Sequence, residues 1–577
     1  MIDLTRILLS TNITTYHSTP QLLSPASSSS SSHQSSLSSS FQERERERER
    51  EREMMGLIHI LLSTITKFTT YHSTAPLCGI FLVFFTSITA FFLISIIIRR
   101  RNWQNAPPGP LGWPIIGYLP YLSERLHEDL FNLSKTYGPF FSLRMGQKPT
   151  IVVSSPEVAR EMLKHKEGSF SSRTITEAVR CIAYDGTTLV FAPYSERWRL
   201  LRKILTTELF SSRAIDLLQP ARQQQVHGLL KSFYTCSKSK TPVNIAESTF
   251  VVSTNLISNL VCSKSLFDNL ELKEMVRDVF EAVAIPNLAD LIPFLKILDP
   301  QGLKKRVSKV AQKMDNFFEK LIDERLEEKK KGIQINKNER LDLLDVFLDY
   351  KNKGKDECLK QFSRIDIKGM LVDMFMAGSD TTSSTIEWGM AEILKKPEVH
   401  RKILVEFEQV IGKNRFIEEA DIHKLTYFQA AVKEIFRLHP AAPLLVPRRS
   451  NEACEVYGYH VPKHTIVFVN VWGIARDPKL WPEPLEFKPE RFLESKMDVK
   501  GQDFEILPFG TGRRSCVGLP LGLRMVQYSL ASLLHAFEWD FPIDTLEDMT
   551  EKVGITLQKA KVLIGIPKPR LLDSIYL

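Results

Sequence analysis

Cysteine is scarce in this chain: seven in 577 residues, scattered as Cys78, Cys181, Cys236, Cys262, Cys358, Cys454 and Cys516. The number is odd and no CxxC pair or Cys/His ligand spacing occurs, which excludes a disulfide framework and a structural zinc site and implies a reducing compartment. Basic and aromatic residues are nowhere interleaved as a nucleic-acid surface requires, so nucleic acid is not an expected partner. Flavin and dinucleotide fingerprints are absent too, so redox chemistry here would draw its electrons from another protein. The net charge of +9, from 76 Lys+Arg against 67 Asp+Glu, fits either a bias toward membranes and acidic partners or an evenly solvated surface.

Only one stretch is hydrophobic enough to span a bilayer. Residues 77–98, LCGIFLVFFTSITAFFLISIII, run for 22 residues without a charge and are followed by Arg99, Arg100 and Arg101. About 20 apolar residues suffice for a transmembrane helix, and the arginines place the body of the protein on the cytoplasmic side. A cleaved signal peptide would have a shorter apolar region ending in small residues. Residues 99–110 are a basic and proline-rich linker in which Pro107, Pro108 and Pro110 favour a stiff extended path. A catalytic domain is expected over 111–577.

Residues 1–53 have a composition that cannot bury a core: a serine run at 27–32 and a strict Glu-Arg alternation at 43–53. A purine dinucleotide repeat translates as Glu-Arg-Glu-Arg, and ILLST and TTYHST occur in 7–19 and again in 60–74. A simple repeat inside a duplication points to leader sequence swept into a gene model, with translation expected to start at Met54 or Met55 and a short pre-anchor segment at 54–76. A disordered tail is the other reading.

What most needs explaining is PFGTGRRSCVG, residues 508–518. Cys516 stands just before LPLGLRMVQYSLASLLHAF, which reads as a helix with Pro520 in its first turn, so a thiolate there faces the positive helix end and free backbone N–H groups. Gly510, Gly512 and Gly518 let backbone approach a bulky planar object, and Arg514 is placed to pair with an anionic group on it. A haem meets these demands, since its iron takes an axial thiolate, its face is flat and its propionates are anionic. A buried structural cysteine beside a basic turn is the plain alternative.

The pattern Phe509-x-x-Gly512-x-Arg514-x-Cys516-x-Gly518 resembles the haem-binding signature of the cytochrome P450 monooxygenases. Further motifs follow the family's order. Trp198 and Arg202 lie four apart on one helix face, where an indole N–H and a guanidinium could reach a propionate, and Arg448 in LHPAAPLLVPRR is another propionate candidate. Glu434 and Arg437 in KEIFRLHP, with Arg491 in FKPERF, resemble the family's buried carboxylate and two-arginine cluster. A long helix is expected around AGSDTTSSTIEW, interrupted near 377–382, where Gly378 and the hydroxyl run open the ladder beside a pocket suited to dioxygen. The resemblance makes Asp380 and Thr381 the acid and alcohol that deliver protons.

The likeness covers residues 77–577 and is nearest the plant microsomal branch, on FSSRT, APYSERWRLLRK, NVWGIARDP and LADLIPFLKILDPQG. The last resembles the group with geraniol-type monoterpenoid hydroxylases and benzylisoquinoline alkaloid hydroxylases. It implies a mainly α fold with a smaller β-rich part and one N-terminal transmembrane helix. The cofactor implied is haem b (iron protoporphyrin IX), with NADPH acting indirectly through a membrane-bound NADPH–cytochrome reductase. The reaction implied is insertion of one oxygen atom of O2 into a lipophilic terpenoid or alkaloid, in a single-pass enzyme of the endoplasmic reticulum membrane. Substrate contacts are expected from 177–190, 286–298, the helix before Ala377, 444–446 and 554–556. The alternatives are a haem-thiolate isomerase or dehydratase, disfavoured by Asp380 and Thr381, and a non-catalytic membrane-anchored haem binder.

Overall fold

Helices carry most of the chain and short strands gather at its margin, in agreement with the expected mainly α class. The computed structural model describes residues 105–266, 270–332, 342–353, 363–554 and 556–577, all within the unit Ser95–Leu577. The expectations for 1–53, 54–76 and 77–98, and for the basic part of the linker, lie outside the described residues.

The helices that bear on the site are α1 (Leu126–Tyr137), α2 (Glu196–Glu208), α3 (Gln219–Ser239), α4 (Ile245–Cys262), α5 (Leu303–Lys330), α6 (Arg364–Lys395), α7 (Pro397–Val410), α8 (Thr426–Leu438) and α9 (Leu519–Ala536). Among the described residues α4 alone is long and apolar enough to cross a membrane, but two-thirds of it is buried within the protein, as in a core helix.

The centre is α6, 32 residues long and about 48 Å at 1.5 Å per residue. It starts at a capping box, in which Ser363 and Asp366 each satisfy the other's backbone N–H, and it is buried along most of its length. Gly389 marks its closest packing: a Cβ there would lie 2.9 Å from Ile435 of α8 and 2.9 Å from Leu530 of α9. The expected interruption at 377–382 does not occur, and α6 runs through unbroken. The hydroxyls back-bond without opening the ladder, Thr381 to the Ala377 carbonyl at 2.7 Å and Thr385 to that of Thr381 at 2.8 Å.

Five strands form the largest sheet: β1 (Phe140–Met145), β2 (Lys148–Val153), β3 (Ser172–Arg173), β4 (Arg448–Arg449) and β5 (Ile466–Val469), in the order β1-β2-β5-β4-β3. Strands β2 and β5 pair in parallel, with Ile151, Val152 and Val153 of β2 and the whole of β5 apolar and buried, as strands covered on both faces are. The linker prolines are part of this body: Ser142 of β1 donates its N–H to Pro108 and its hydroxyl to Pro107. A Cβ on Gly109 would strike the Ser142 carbonyl, so only glycine fits there. Outside this sheet, β6 (Glu551–Val553) and β7 (Leu557–Lys559) form a hairpin laid against α6.

Candidate functional site

The loop before α9 is held in one shape by its own backbone. Cys516 donates its N–H to the Phe509 carbonyl at 2.9 Å, and Gly510 and Gly512 take φ of +66 and +71, which a side chain would strain. A Cβ on Gly512 would also lie 2.5 Å from a Glu167 oxygen. Phe509 packs on Phe436 of α8 at 5.1 Å between ring centroids. The structure starts α9 at Leu519 with Pro520 in its first turn, as expected, so Cys516 lies just ahead of a helix N-terminus. Burial pushes the Cys516 thiol up, against the pull of the Gly518 N–H, the Arg202 guanidinium and the Leu519 N–H.

The thiol is deep in the fold and still carries accessible surface. Both statements hold if it opens onto an internal cleft. On α6, Ala377 is exposed and Thr381 half-buried, although Phe375, Ser379, Asp380 and Thr382 beside them are buried. Gly518 stands directly beside the sulfur, where a Cβ would lie in ordinary contact with it at 3.8 Å.

Beside the thiol lies a concentration of positive charge. The register of β3 on β4 sets Arg173 directly opposite Arg448, an unfavourable pairing of like charges. Both are buried, as is Arg514. Among the described residues none of the three is in an ion pair. Arg514 gives its donors to the carbonyls of Ser171 at 2.8 Å, Leu189 at 3.2 Å and Ala192 at 2.5 Å. Arg448 donates to Phe170 at 3.3 Å and Arg173 to Val446 at 2.5 Å. Burial pulls the Arg448 pKa down to about 10, and Glu167 is the acid that acts against this. Burial, then Arg448 and Arg202, bring Arg514 to about 10; burial, then Arg448 and Arg514, hold Arg173 well below the usual range. Three desolvated cations without a carboxylate are a site built for an anion.

Trp198 and Arg202 are in this region, with their polar groups engaged. The Trp198 indole donates to the Leu189 carbonyl at 2.9 Å, and the guanidiniums of Arg514 and Arg202 lie over its ring at 4.6 Å and 5.6 Å from the centroid. Arg202 clamps the loop next to the thiol, donating to the Ser515 carbonyl at 3.0 Å and hydroxyl at 3.1 Å.

Asp380 and Thr381 adjoin on α6 but engage different partners. The Asp380 carboxylate is buried and accepts from Gln558 at 2.7 Å and from the Thr556 hydroxyl, both on or beside β7. Burial raises its pKa, opposed by Thr556 and Gln558. Farther off, Glu434, Arg437 and Arg491 do come together. Glu434 meets Arg437 through two bonds, 2.7 Å and 2.8 Å, and Arg491 at 3.2 Å, with Glu434 and Arg437 fully buried. Arg437 also donates to the carbonyls of Ala475, Pro484 and Glu486.

Sequence reasoning does not single out four residues of this region. Arg173 lies within FSSRT, where only its pairing with Arg448 gives it meaning. Asp373 accepts the Val190 N–H at 3.1 Å. Gln558 and Glu387 lie 178 and 176 residues from their partners, beyond any local pattern.

A haem fits these residues: Cys516 offers a thiolate with accessible surface, α6 leaves surface open at Ala377 and Thr381, and the guanidiniums lack the anions that propionates would supply. A family model described as "Cytochrome P450" matches residues 107–565. Geraniol 8-hydroxylase of Swertia mussotii is 42% identical over 502 residues, covering 84% of this chain and 99% of its own length. A flavonoid 3'-monooxygenase of Crocosmia x crocosmiiflora is 40% identical over 513 residues, covering 86% and 99%. Among solved structures, a zebra fish cytochrome P450 with progesterone has a TM-score of 0.66 at 28% identity, covering 77% of this chain and 99% of that one.

Proposed function

The chain belongs to the cytochrome P450 family and is a haem monooxygenase of plant specialised metabolism, and from that premise we propose which residues carry the reaction, on what substrate and where. The observation that carries the reading is a thiol deep in the fold that keeps accessible surface, beside three buried guanidiniums that form no ion pair among the described residues.

Cys516 would hold the haem iron through its sulfur, and the N–H groups of Gly518 and Leu519 with Arg202 favour its thiolate. Bound there, haem b supplies the dioxygen and one-electron chemistry that puts an oxygen atom into a C–H bond. Arg173, Arg448 and Arg514 would hold its propionates, whose charge would relieve the repulsion among the three cations. Trp198 and Arg202 brace this cradle from α2. Asp380 and Thr381 bring protons to the cleft, the buried acid passing a proton to the hydroxyl whose surface reaches it. Glu434, Arg437 and Arg491 keep the surrounding fold in register.

The substrate is a lipophilic small molecule. We propose a terpenoid alcohol of the geraniol type, with a flavonoid as the second class, following the named relatives. Electrons come from NADPH through a partner reductase. Arg199, Lys203 and Arg513 present exposed charge near the cradle, with Arg199 and Arg513 both over the Tyr194 ring at 5.8 Å and 4.9 Å, and they would face the reductase's acidic surface. Residues 77–98 anchor the enzyme in the endoplasmic reticulum membrane with the catalytic body in the cytoplasm.

The test is the reduced, carbon-monoxide-bound difference spectrum of membranes expressing residues 55–577 beside a Cys516→Ala control. A Soret band at the wavelength that names the family, absent from the control, is expected. Its absence from folded, haem-supplied protein refutes the assignment of Cys516. NADPH-dependent hydroxylation of geraniol or of a flavonoid panel then decides the substrate class.

A further inference from the structure

One face of α6 is tied to the C-terminal segment by a row of polar contacts. At helical spacing, Asp380, Ser384, Glu387 and Trp388 each reach residues 556–563. Ser384 and Trp388 both donate to the Leu557 carbonyl, at 2.9 Å and 3.1 Å, and Glu387 accepts the Leu563 N–H at 2.8 Å. The adjoining row, Ala377 and Thr381, carries the accessible surface. The β6–β7 hairpin is therefore fixed firmly enough to hold the Asp380 carboxylate in one place.

We propose that Gln558 and Thr556 are positioning residues for Asp380: their two donors hold both carboxylate oxygens on the hairpin side of α6 and set when Asp380 takes up a proton and turns it toward Thr381. An ionised carboxylate accepts strongly from two donors, and a protonated one accepts weakly. Protonation of Asp380 thus loosens its grip on the hairpin and frees it to rotate. Gln558 is half-buried and lies opposite exposed Lys552 across the hairpin, so it stands between solvent and the buried acid.

Few charged groups face Asp380. Glu387 lies two turns farther along α6 and acts electrostatically on the same stretch, while Asp373 lies two turns back. From β7 comes Lys559, its ammonium enclosed by the carbonyls of Thr545, Lys561 and Asp548. The other helices packed on this part of α6 present apolar side chains: Ile257 of α4 at Gly378, and Ile435 of α8 and Leu530 of α9 at Gly389. The two hairpin donors are accordingly the groups best placed to control the acid.

The test is an infrared pH titration of the full-length holoenzyme, with Asp380→Asn used to assign the carboxyl band. Gln558→Leu removes a donor that favours the ionised form, so the Asp380 midpoint should rise by about one to two pH units, the equivalent of one hydrogen bond to a charged group. Thr556→Val, of nearly the same shape, should give a step in the same direction and covers the case in which Gln558→Leu does not fold. The pH at which product formed per NADPH consumed is greatest should move with the midpoint. Unchanged midpoints in the variants that fold overturn the inference. It rests on Asp380 as proton donor, and Asp380→Asn separates the two ideas. Unaltered product yield per NADPH in Asp380→Asn removes the donor reading, whereas a collapsed yield there with no midpoint change in Gln558→Leu or Thr556→Val removes the hairpin inference alone.

Discussion

Asp373 should make this enzyme lose stability as pH rises through the neutral range. It is buried on α6, accepts the Val190 N–H at 3.1 Å, and burial pushes its pKa from 3.8 to about 7 despite that bond. Because the folded value is the higher one, the folded state keeps the proton after the unfolded chain has released it. The associated stability is complete below pH 3.8 and is lost as pH rises through about 7. Between pH 5 and pH 7 the loss from this one group is about 2 kcal/mol, at 1.36 kcal/mol per unit over most of that window. Asp373→Asn keeps an oxygen for the Val190 N–H and abolishes the titration. Glu387, raised by burial to about 7, acts in the same direction but is present in both proteins and cancels from the comparison. Urea unfolding free energies of haem-loaded protein at pH 5 and pH 7 give the answer. The wild type should fall by about 2 kcal/mol more than the variant, and parallel declines would refute the argument.

Other perturbations test other parts of the site. Glu434→Ala strands Arg437 and Arg491 in the interior and should cost about 3 kcal/mol or more of unfolding free energy, the carbonyls around Arg437 keeping it toward the lower end of the range; a loss under 1 kcal/mol would mean the cluster is not what holds this region. Arg448→Met should speed haem transfer to apomyoglobin at least tenfold while stabilising haem-free protein to urea, since it removes one of three like charges; an unchanged transfer rate would remove Arg448 from the cradle. Reversing the charges of Arg199, Lys203 and Arg513 together should slow reduction by the reductase and flatten its salt dependence, measured by stopped flow. An unaltered salt slope would place the docking face elsewhere.

The cysteine loop and the Glu434 cluster were legible in sequence because their chemistry is written in short intervals. Cys516, Arg514 and the two positive-φ glycines fall within seven residues, and Glu434 with Arg437 within one helical turn. The same locality misled at α6. Ala377 to Thr382 reads as a break because it concentrates glycine and hydroxyl residues, but these hydroxyls bond back to their own helix and leave the ladder intact. The indole N–H of Trp198 was legible as a donor but not its acceptor, because Leu189 offers only a backbone carbonyl. Gln558 and Arg173 were silent for a different reason. Each depends on a partner from a distant strand or helix, and no interval along the chain records that meeting.

A further set of contacts converges on one short stretch of irregular chain. Residues 189–192 give carbonyls to Trp198 and Arg514, and the N–H of Val190 to Asp373. The cationic cradle beside Cys516 and the central helix that carries Asp380 and Thr381 are thereby tied to the same few peptide groups. A shift of this stretch by one bond length would loosen the donors of Arg514 and the acceptor of Trp198 together, while leaving Asp373 buried with a weaker partner. The burial of an acid at position 373 makes sense in that light. It fixes where α6 lies relative to the cradle, and it does so at a point five residues short of Gly378, where α6 packs so closely on α4 that a Cβ would lie 2.7 Å from Ile257. Position along α6 is therefore set just ahead of Asp380 and Thr381, by a polar bond at Asp373 and close packing at Gly378.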